Sequence, residues 1–383
     1  MKKLVILSED SVFAGCDKTG MAEIVDSLAN SLNNIYGVTV ICPDRNGMGV
    51  AAMIGRIRTI QKGVRQCRFL GVEYYLVSPN LWPNTAISLV EQLNPDILHN
   101  FADPAMISMV SSRPSKVVCT LGNSTIAHER REYLKLYDAV TVNSENLAWE
   151  ILRMDGMVEA MEKTVFQSIP AGVLTQAFDP SKGLFLPAKY TSDNLTGKQK
   201  CKERLLKTYG IAGDPCVYLM ASRLVPSEAF ERVFSAVETI RDTGGVLIVL
   251  GKGLSEYEQR LRDNRKNGVI YIPRMPSPVQ IIPMTAGADF YLSPSENDSY
   301  GLYPMTASRY GAIPMVTQYG GHADNFGSDT AIIIDENGLS DAVSRASKLY
   351  ADKAALDAKR KICMETDYSW TTRREKYVAL YEK

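Results

Sequence analysis

The chain has 383 residues, more than one ordinary hydrophobic core organises, so two domains are expected. With 45% hydrophobic and 22% charged residues it has the composition of a globular protein. Its 43 Lys and Arg balance 43 Asp and Glu, which removes any global drive toward nucleic acid or acidic membrane.

The apolar runs are far too short to span a membrane. At the N-terminus, Leu4-Val-Ile-Leu7 gives way at once to Ser8-Glu-Asp10, so it reads as a buried first strand and not a signal peptide. Seven scattered cysteines (16, 42, 67, 119, 201, 216 and 363) include no Cys-x-x-Cys pair, which argues against a disulfide frame or zinc site and for a reducing cytoplasm.

Short β-branched runs follow at 4–7, 38–42, 96–101, 116–121, 139–143 and 164–170. Helical patterns alternate with them, such as 21–32 with Ile24, Val25, Leu28 and Leu32 on one face. The alternation pauses near Pro180 and resumes with strands at 216–222, 246–250, 269–273, 289–295, 313–317 and 331–335. The polar stretch 184–214 marks the junction. This is an α/β chain of two domains with parallel sheets, facing each other across a cleft where ligands are expected.

Loops at the carboxyl ends of these strands carry the candidate chemistry. The loop 8–19 enters a helix at Gly20, with Lys18 just before it, and its amides can attract an anion. Arg223, in Ala221-Ser-Arg-Leu224, can clamp a phosphate bidentately or form a surface ion pair. Leu250-Gly-Lys-Gly-Leu254 allows close backbone approach to a ligand, although glycine turns also serve plain geometry. The richest stretch is Tyr291-Leu-Ser-Pro-Ser-Glu-Asn-Asp-Ser-Tyr-Gly-Leu302: a buried strand, an acid (Asp298), and a helix opened by Gly301. Helix amides and dipole there suit phosphates, leaving the acid to contact the group transferred. Gly320-Gly321 can present further amides, with Asp324 anchoring the loop. His99, His128 and His322 stand alone, with no companion at metal spacing, and no metal is expected. No Gly-x-Gly-x-x-Gly follows the first strand, which disfavours a dehydrogenase.

Several motifs resemble bacterial glycogen synthases and plant starch synthases, retaining glycosyltransferases with two Rossmann-like domains (the GT-B fold). They are Asp138-Ala-Val-Thr-Val-Asn-Ser144 with Glu150-Ile151, Ile169-Pro-Ala-Gly-Val173 with Phe178-Asp-Pro180, and Tyr368-Ser-Trp370. Most specific is the interdomain stretch Leu186-Pro-Ala-Lys-Tyr190, Asn194-Leu195 and Gly197-Lys198 with Lys202. The resemblance implies an acceptor-side domain over 1–183, a donor domain over 184–367 and a helix over 368–383 that crosses back to the first. It implies a nucleotide-diphosphate sugar as co-substrate, a glycan or other acceptor, and no further cofactor. It further implies that Asp298 and Arg223 are catalytic and that Lys18, Gly20, Arg223, Lys252, Tyr300, Gly301, Leu302, Gly320 and Gly321 bind the donor. Asn123 and His99 would lie on the acceptor or sugar side. A protein partner or a homo-oligomer is left open.

The chain departs from the family pattern where chemistry is concentrated. Lys18-Thr-Gly-Met21 replaces Lys-x-Gly-Gly-Leu, Gly122 replaces a histidine, Ala171 an asparagine, and Pro276 falls near a stacking tyrosine. Asp298 is one methylene shorter than the expected glutamate, and Glu228 stands in place of a lysine of the diphosphate clamp. A carboxylate ~4 Å from a phosphate charge at an effective dielectric of ~20 is repelled by roughly 4 kcal/mol. Glu228 is therefore expected to point away, or to be offset by Lys252 or Lys18. Two readings follow: a retaining hexosyltransferase, or a catalytically inactive relative acting as a glycan-binding, regulatory or partner subunit.

Overall fold

The computed structural model describes residues 1–11, 20–45, 57–175, 178–183, 185–274, 278–295, 298 and 300–383, with only the backbone of Pro278 and Val279. Lys18, with most of the loop before Gly20, lies outside the described residues, as do Met275, Pro276 and Ser277. The chain divides into two compact units, residues 1–174 with 369–383, and residues 175–368. No helix among the described residues is long and apolar enough to cross a membrane.

The first unit holds β1 (Lys3–Leu7), β2 (Gly37–Pro43), β3 (Arg58–Gln61), β4 (Val64–Phe69), β5 (Val72–Val77), β6 (Ile97–Asn100), β7 (Lys116–Leu121), β8 (Ala139–Val142) and β9 (Val165–Ser168). They form one sheet in the order β3-β4-β5-β2-β1-β6-β7-β8-β9. From β5 through β9 every neighbour pair is parallel. The ribbon β3-β4-β5 is antiparallel and was not foreseen from the sequence. Its second turn is Leu70-Gly71, with φ of 48° and 88°. Both values are positive, as a two-residue hairpin requires, but leucine is a poor advertisement for such a turn.

Helix Gly20–Leu32 buries Ile24, Val25, Leu28 and Leu32, the spacing that puts one face on a core. Helix Trp370–Glu382 completes this unit. Trp370 Nε1 donates to Ser27 Oγ at 2.7 Å, and Tyr36 Oη donates to Glu382 Oε1 at 2.9 Å. A side chain at Gly172 would begin 2.9 Å from Trp370, so glycine permits this docking.

The second unit holds β10 (Cys216–Ala221), β11 (Gly245–Leu250), β12 (Val269–Ile272), β13 (Phe290–Ser293), β14 (Ile313–Val316) and β15 (Ile332–Ile333). The order is β12-β11-β10-β13-β14-β15, parallel throughout. Alternate residues feed two cores: Tyr218, Met220, Leu247 and Phe290 pack on one face, and Val217, Leu219, Ile248 and Tyr291 on the other. Burial on both faces explains why these strands read as unbroken apolar runs. The strand order reverses between β10 and β13, and such a switch point opens a crevice at the carboxyl edge.

The motif Gly197-Lys198…Lys202 is structural. A Cβ on Gly197 would begin 2.0 Å from the Lys189 carbonyl oxygen, so only glycine lets helix Thr196–Tyr209 approach that strand of chain. Lys198 Nζ donates to the carbonyls of Ala286 (3.1 Å), Ala288 (2.9 Å) and Tyr310 (2.9 Å). Burial holds its ammonium well below the usual lysine range. Lys202 Nζ lies 2.8 Å from both Asp214 and the buried Asp289. Burial disfavours that charge, but Asp289 and the hydrogen bonds outweigh it, and the Lys202 pKa is raised.

Candidate functional site

Four loops of the second unit converge at the switch point. After β10 and β11 the loops are fastened by their backbones: Leu224 N donates to Lys252 O at 2.9 Å, and Leu254 N to Leu224 O at 2.9 Å. A Cβ on Gly251 would meet Ser222 O at 2.0 Å, and one on Gly253 would meet Leu224 O at 2.2 Å. These glycines are therefore explained by the crossing of two chains. The crossing leaves Arg223 and Lys252 exposed, with no ion pair or side-chain hydrogen bond among the described residues.

Asp298, past the end of β13, holds the opposite side together. Its Oδ1 accepts from Tyr300 N and Gly301 N, both at 2.8 Å. Its Oδ2 lies 3.2 Å from His322 Nε2, and its carbonyl accepts from Gly321 N at 2.8 Å. Burial alone would raise the pKa of this carboxyl, but the hydrogen bond and charge of His322, with the Gly301 and Tyr300 amides, hold it below the ordinary aspartate value. The side chain is 24% exposed. The sequence suggested an acid free to contact the transferred group and glycine amides free for phosphate. In the structure both carboxylate oxygens are occupied, and the Gly301 and Gly321 amides are turned to Asp298. Asp298 thus ties its own loop to the Gly320–Asn325 helix through His322 and Gly321.

Gly321 is tightly enclosed: a Cβ would lie 2.5 Å from the Tyr300 carbonyl carbon. Gly320, with φ of 51°, begins the short helix Gly320–Asn325. Gly301, with φ of 68°, precedes helix Leu302–Arg309, whose first residue, Leu302, is buried; Tyr300 is half-buried. His322 is buried, with Nε2 also 3.2 Å from Ser293 Oγ and Nδ1 3.3 Å from Thr317 Oγ1. Thr317 Oγ1 in turn donates to Ser295 O.

Glu228 does not point away. It ends the 3₁₀ turn Pro226–Glu228, which Ser295 Oγ ties to the Asp298 loop by donating to Ser227 O at 2.9 Å. Burial, and then the charge of Asp298, push its pKa up to about 7, while Arg223 and His322 pull it down. It belongs to the same cluster as Arg223, Asp298 and His322.

The first unit places its candidates differently. His99, expected on the sugar side, is completely buried: Nδ1 lies 2.6 Å from Tyr381 Oη and Nε2 2.7 Å from Thr120 Oγ1. It also packs on Phe101 and Tyr377, so it is a core residue with both ring nitrogens engaged inside the fold. Asn123 is exposed and caps helix Ser124–Glu129, its side-chain oxygen accepting from Ile126 N at 2.9 Å. Gly20 opens the helix after β1 and is half-buried.

Residues 202–366 match the family model described as Glycosyl transferases group 1. A glycogen synthase of Myxococcus xanthus is 32% identical over 276 residues, 66% of this chain and 57% of that protein. One from Paracidovorax citrulli is 30% identical over 278 residues, 65% of this chain and 53% of that protein. The chain thus spans about half the length of the curated relatives it matches. The catalytic domain of starch synthase IV from Arabidopsis thaliana, solved with ADP and acarbose, aligns over 100% of this chain and 99% of its own, with a TM-score of 0.84 at 18% identity. The chain shares the GT-B fold of that domain and is similar in sequence to glycogen synthases. Anabaena HepE, solved with UDP-glucose, shares the fold at a TM-score of 0.71 and 12% identity, over 100% of both chains.

The family match lies wholly within the second unit, which carries Arg223, Lys252, Asp298 and His322. Sequence reasoning missed His322 and the place of Glu228. A signal for His322 was available: it follows β14, the strand beside β13, so it must emerge at the same sheet edge as Asp298. The facing of Glu228 depends on the Ser295–Ser227 contact, which no local pattern announces.

Proposed function

We propose that the chain transfers a hexose, glucose in the first instance, from a nucleotide-diphosphate sugar to a glycan or other acceptor with retention of configuration. The observation that carries this reading is the pair Arg223 and Lys252, two cations without ion-pair partners among the described residues, on fastened loops at a parallel-sheet switch point. Such cations suit a diphosphate, bidentately in the case of arginine. The ADP and the UDP-glucose held by proteins of the same fold are consistent with it, as are relatives named for glycogen synthesis.

In this reading Arg223 and Lys252 stabilise charge on the departing diphosphate as the bond from the anomeric carbon to its oxygen breaks. The acceptor hydroxyl oxygen bonds to the same face of that carbon, and its proton passes to the leaving diphosphate oxygen. Asp298, occupied by its own loop and His322, positions the Tyr300–Leu302 turn and is not a nucleophile. The first unit serves the acceptor, and a reducing cytoplasm is the setting.

Calorimetric titration with ADP, UDP and GDP tests the donor site. Micromolar binding of one nucleotide, lost in Arg223→Ala, is expected; no binding of any would defeat the reading. The anomeric configuration of the product, read by NMR, tests retention.

A further inference from the structure

We propose that Glu228 is itself a donor-site residue, which meets the diphosphate as a neutral acid and donates a hydrogen bond to it, so that donor binding is coupled to proton uptake. The inference rests on the donor-site reading above.

Glu228 is held in place by more than its own turn. Glu228 N donates to Val225 O at 3.1 Å and Ala229 N to Pro226 O at 2.9 Å, closing the turn from both sides. Ala229 has φ of 54°, a left-handed conformation that a non-glycine residue adopts when its surroundings impose it. Ser295 then joins the turn to the Asp298 loop.

The groups facing Glu228 are Arg223 from its own loop, Asp298 from the loop after β13, and His322 from the helix after β14, with the Tyr291 hydroxyl behind. Asp298 already accepts from the Tyr300 and Gly301 amides and lies against His322. Glu228 is half-buried, and its carboxyl has neither hydrogen bond nor ion pair among the described residues, even with Arg223 nearby. It is therefore the carboxyl of this cluster that makes no hydrogen bond among the described residues. Burial and the Asp298 charge already bring its pKa to about 7, so both forms are populated near neutrality. A bound diphosphate adds negative charge on the same side, which favours the protonated form further. A protonated carboxyl donates where a carboxylate would only repel. No covalent change is involved; one proton comes from solvent.

The test is calorimetric affinity for ADP-glucose and UDP-glucose at pH 6 and pH 8. A sugar-linked diphosphate does not ionise in that range, whereas a free nucleoside diphosphate does. If only the neutral acid accepts the donor, wild-type affinity falls about tenfold from pH 6 to pH 8, with net proton uptake at pH 7.5 measured in buffers of different ionisation enthalpy. Glu228→Gln, which donates at every pH, should bind at pH 8 within about twofold of its own pH 6 affinity and take up no proton. A pH-independent wild type would overturn the inference, and so would a tenfold fall that persists in Glu228→Gln, which would place the titration on another group. Failure of wild type, Glu228→Gln and Glu228→Lys alike to bind at pH 6 would overturn the donor site itself and this inference with it.

Discussion

Replacing Asp289 by asparagine should unfold the second unit far more readily than any surface change. Asp289 is 1% exposed and serves three donors: Val217 N at 2.9 Å, Lys202 Nζ at 2.8 Å and Arg360 Nη2 at 2.5 Å. Lys202 and Arg360 are themselves only 5% and 11% exposed, so the substitution leaves two cations in the interior without their shared counter-charge. Removing one partner from a buried ion pair costs about 3–5 kcal/mol. With a urea dependence of roughly 2–3 kcal/mol per M, the midpoint should fall by roughly 1–2 M. Urea unfolding followed by far-UV circular dichroism reports both units. Tryptophan emission reports the first, because Trp82, Trp149 and Trp370 all lie there. An early transition in dichroism is expected ahead of the tryptophan signal, or a joint shift of the same size if the units unfold together. A shift below about 0.3 M in both signals would put the clamp among surface ion pairs, worth ~1 kcal/mol or less, and refute the reasoning.

Gly321→Ala should weaken nucleotide binding roughly 5- to 100-fold, because the new Cβ meets the Tyr300 backbone at 2.5 Å and overpacking costs about 1–3 kcal/mol. Urea midpoints should fall by roughly 0.3–1.5 M for the same reason, and unchanged affinity would contradict a role for the tight enclosure of Gly321 by the Tyr300 backbone. His99 makes the first unit acid-sensitive, since burial depresses its folded pKa to about 3 against an ordinary value near 6.5. The unfolded chain therefore takes up a proton that the folded chain refuses. This contribution to stability is full above about pH 6.5 and declines by ~1.4 kcal/mol per pH unit as pH falls toward 3. Between pH 7 and 5 the tryptophan-reported midpoint should drop more steeply in wild type than in His99→Gln; equal slopes would exclude His99 as the source.

The second sheet was legible because its strands are covered on both faces, so 216–221 and 245–250 are continuous apolar runs in the chain itself. The β3-β4-β5 ribbon was not, because β3 is exposed along its length and its companion turn uses Leu70 where asparagine is the usual sign. The carboxyl ends of the strands identified where candidate residues stand. Which partner each side chain takes is decided by tertiary packing. Asp298 looked available because nothing local revealed that His322 would arrive beside it from the next strand. His99 looked like a sugar ligand, yet its place inside Ile97-Leu98-His99-Asn100, a strand with parallel neighbours on both sides, is a sign of burial. Lys198 and Lys202 carried the most specific resemblance in the sequence, and both are internal supports.

The route of the chain through its two units bears on how it is made. The second unit is one uninterrupted segment, 175–368, whereas the first is closed by 369–383. Tyr381, the partner of His99, lies 282 positions downstream of it. On the ribosome, the sheet built from the earliest residues must wait with His99 half-satisfied and the seat of Trp370 open until that helix emerges. The later unit can finish meanwhile. The order of completion is thus the reverse of the order of synthesis, and exposed apolar surface persists longest on the part made first.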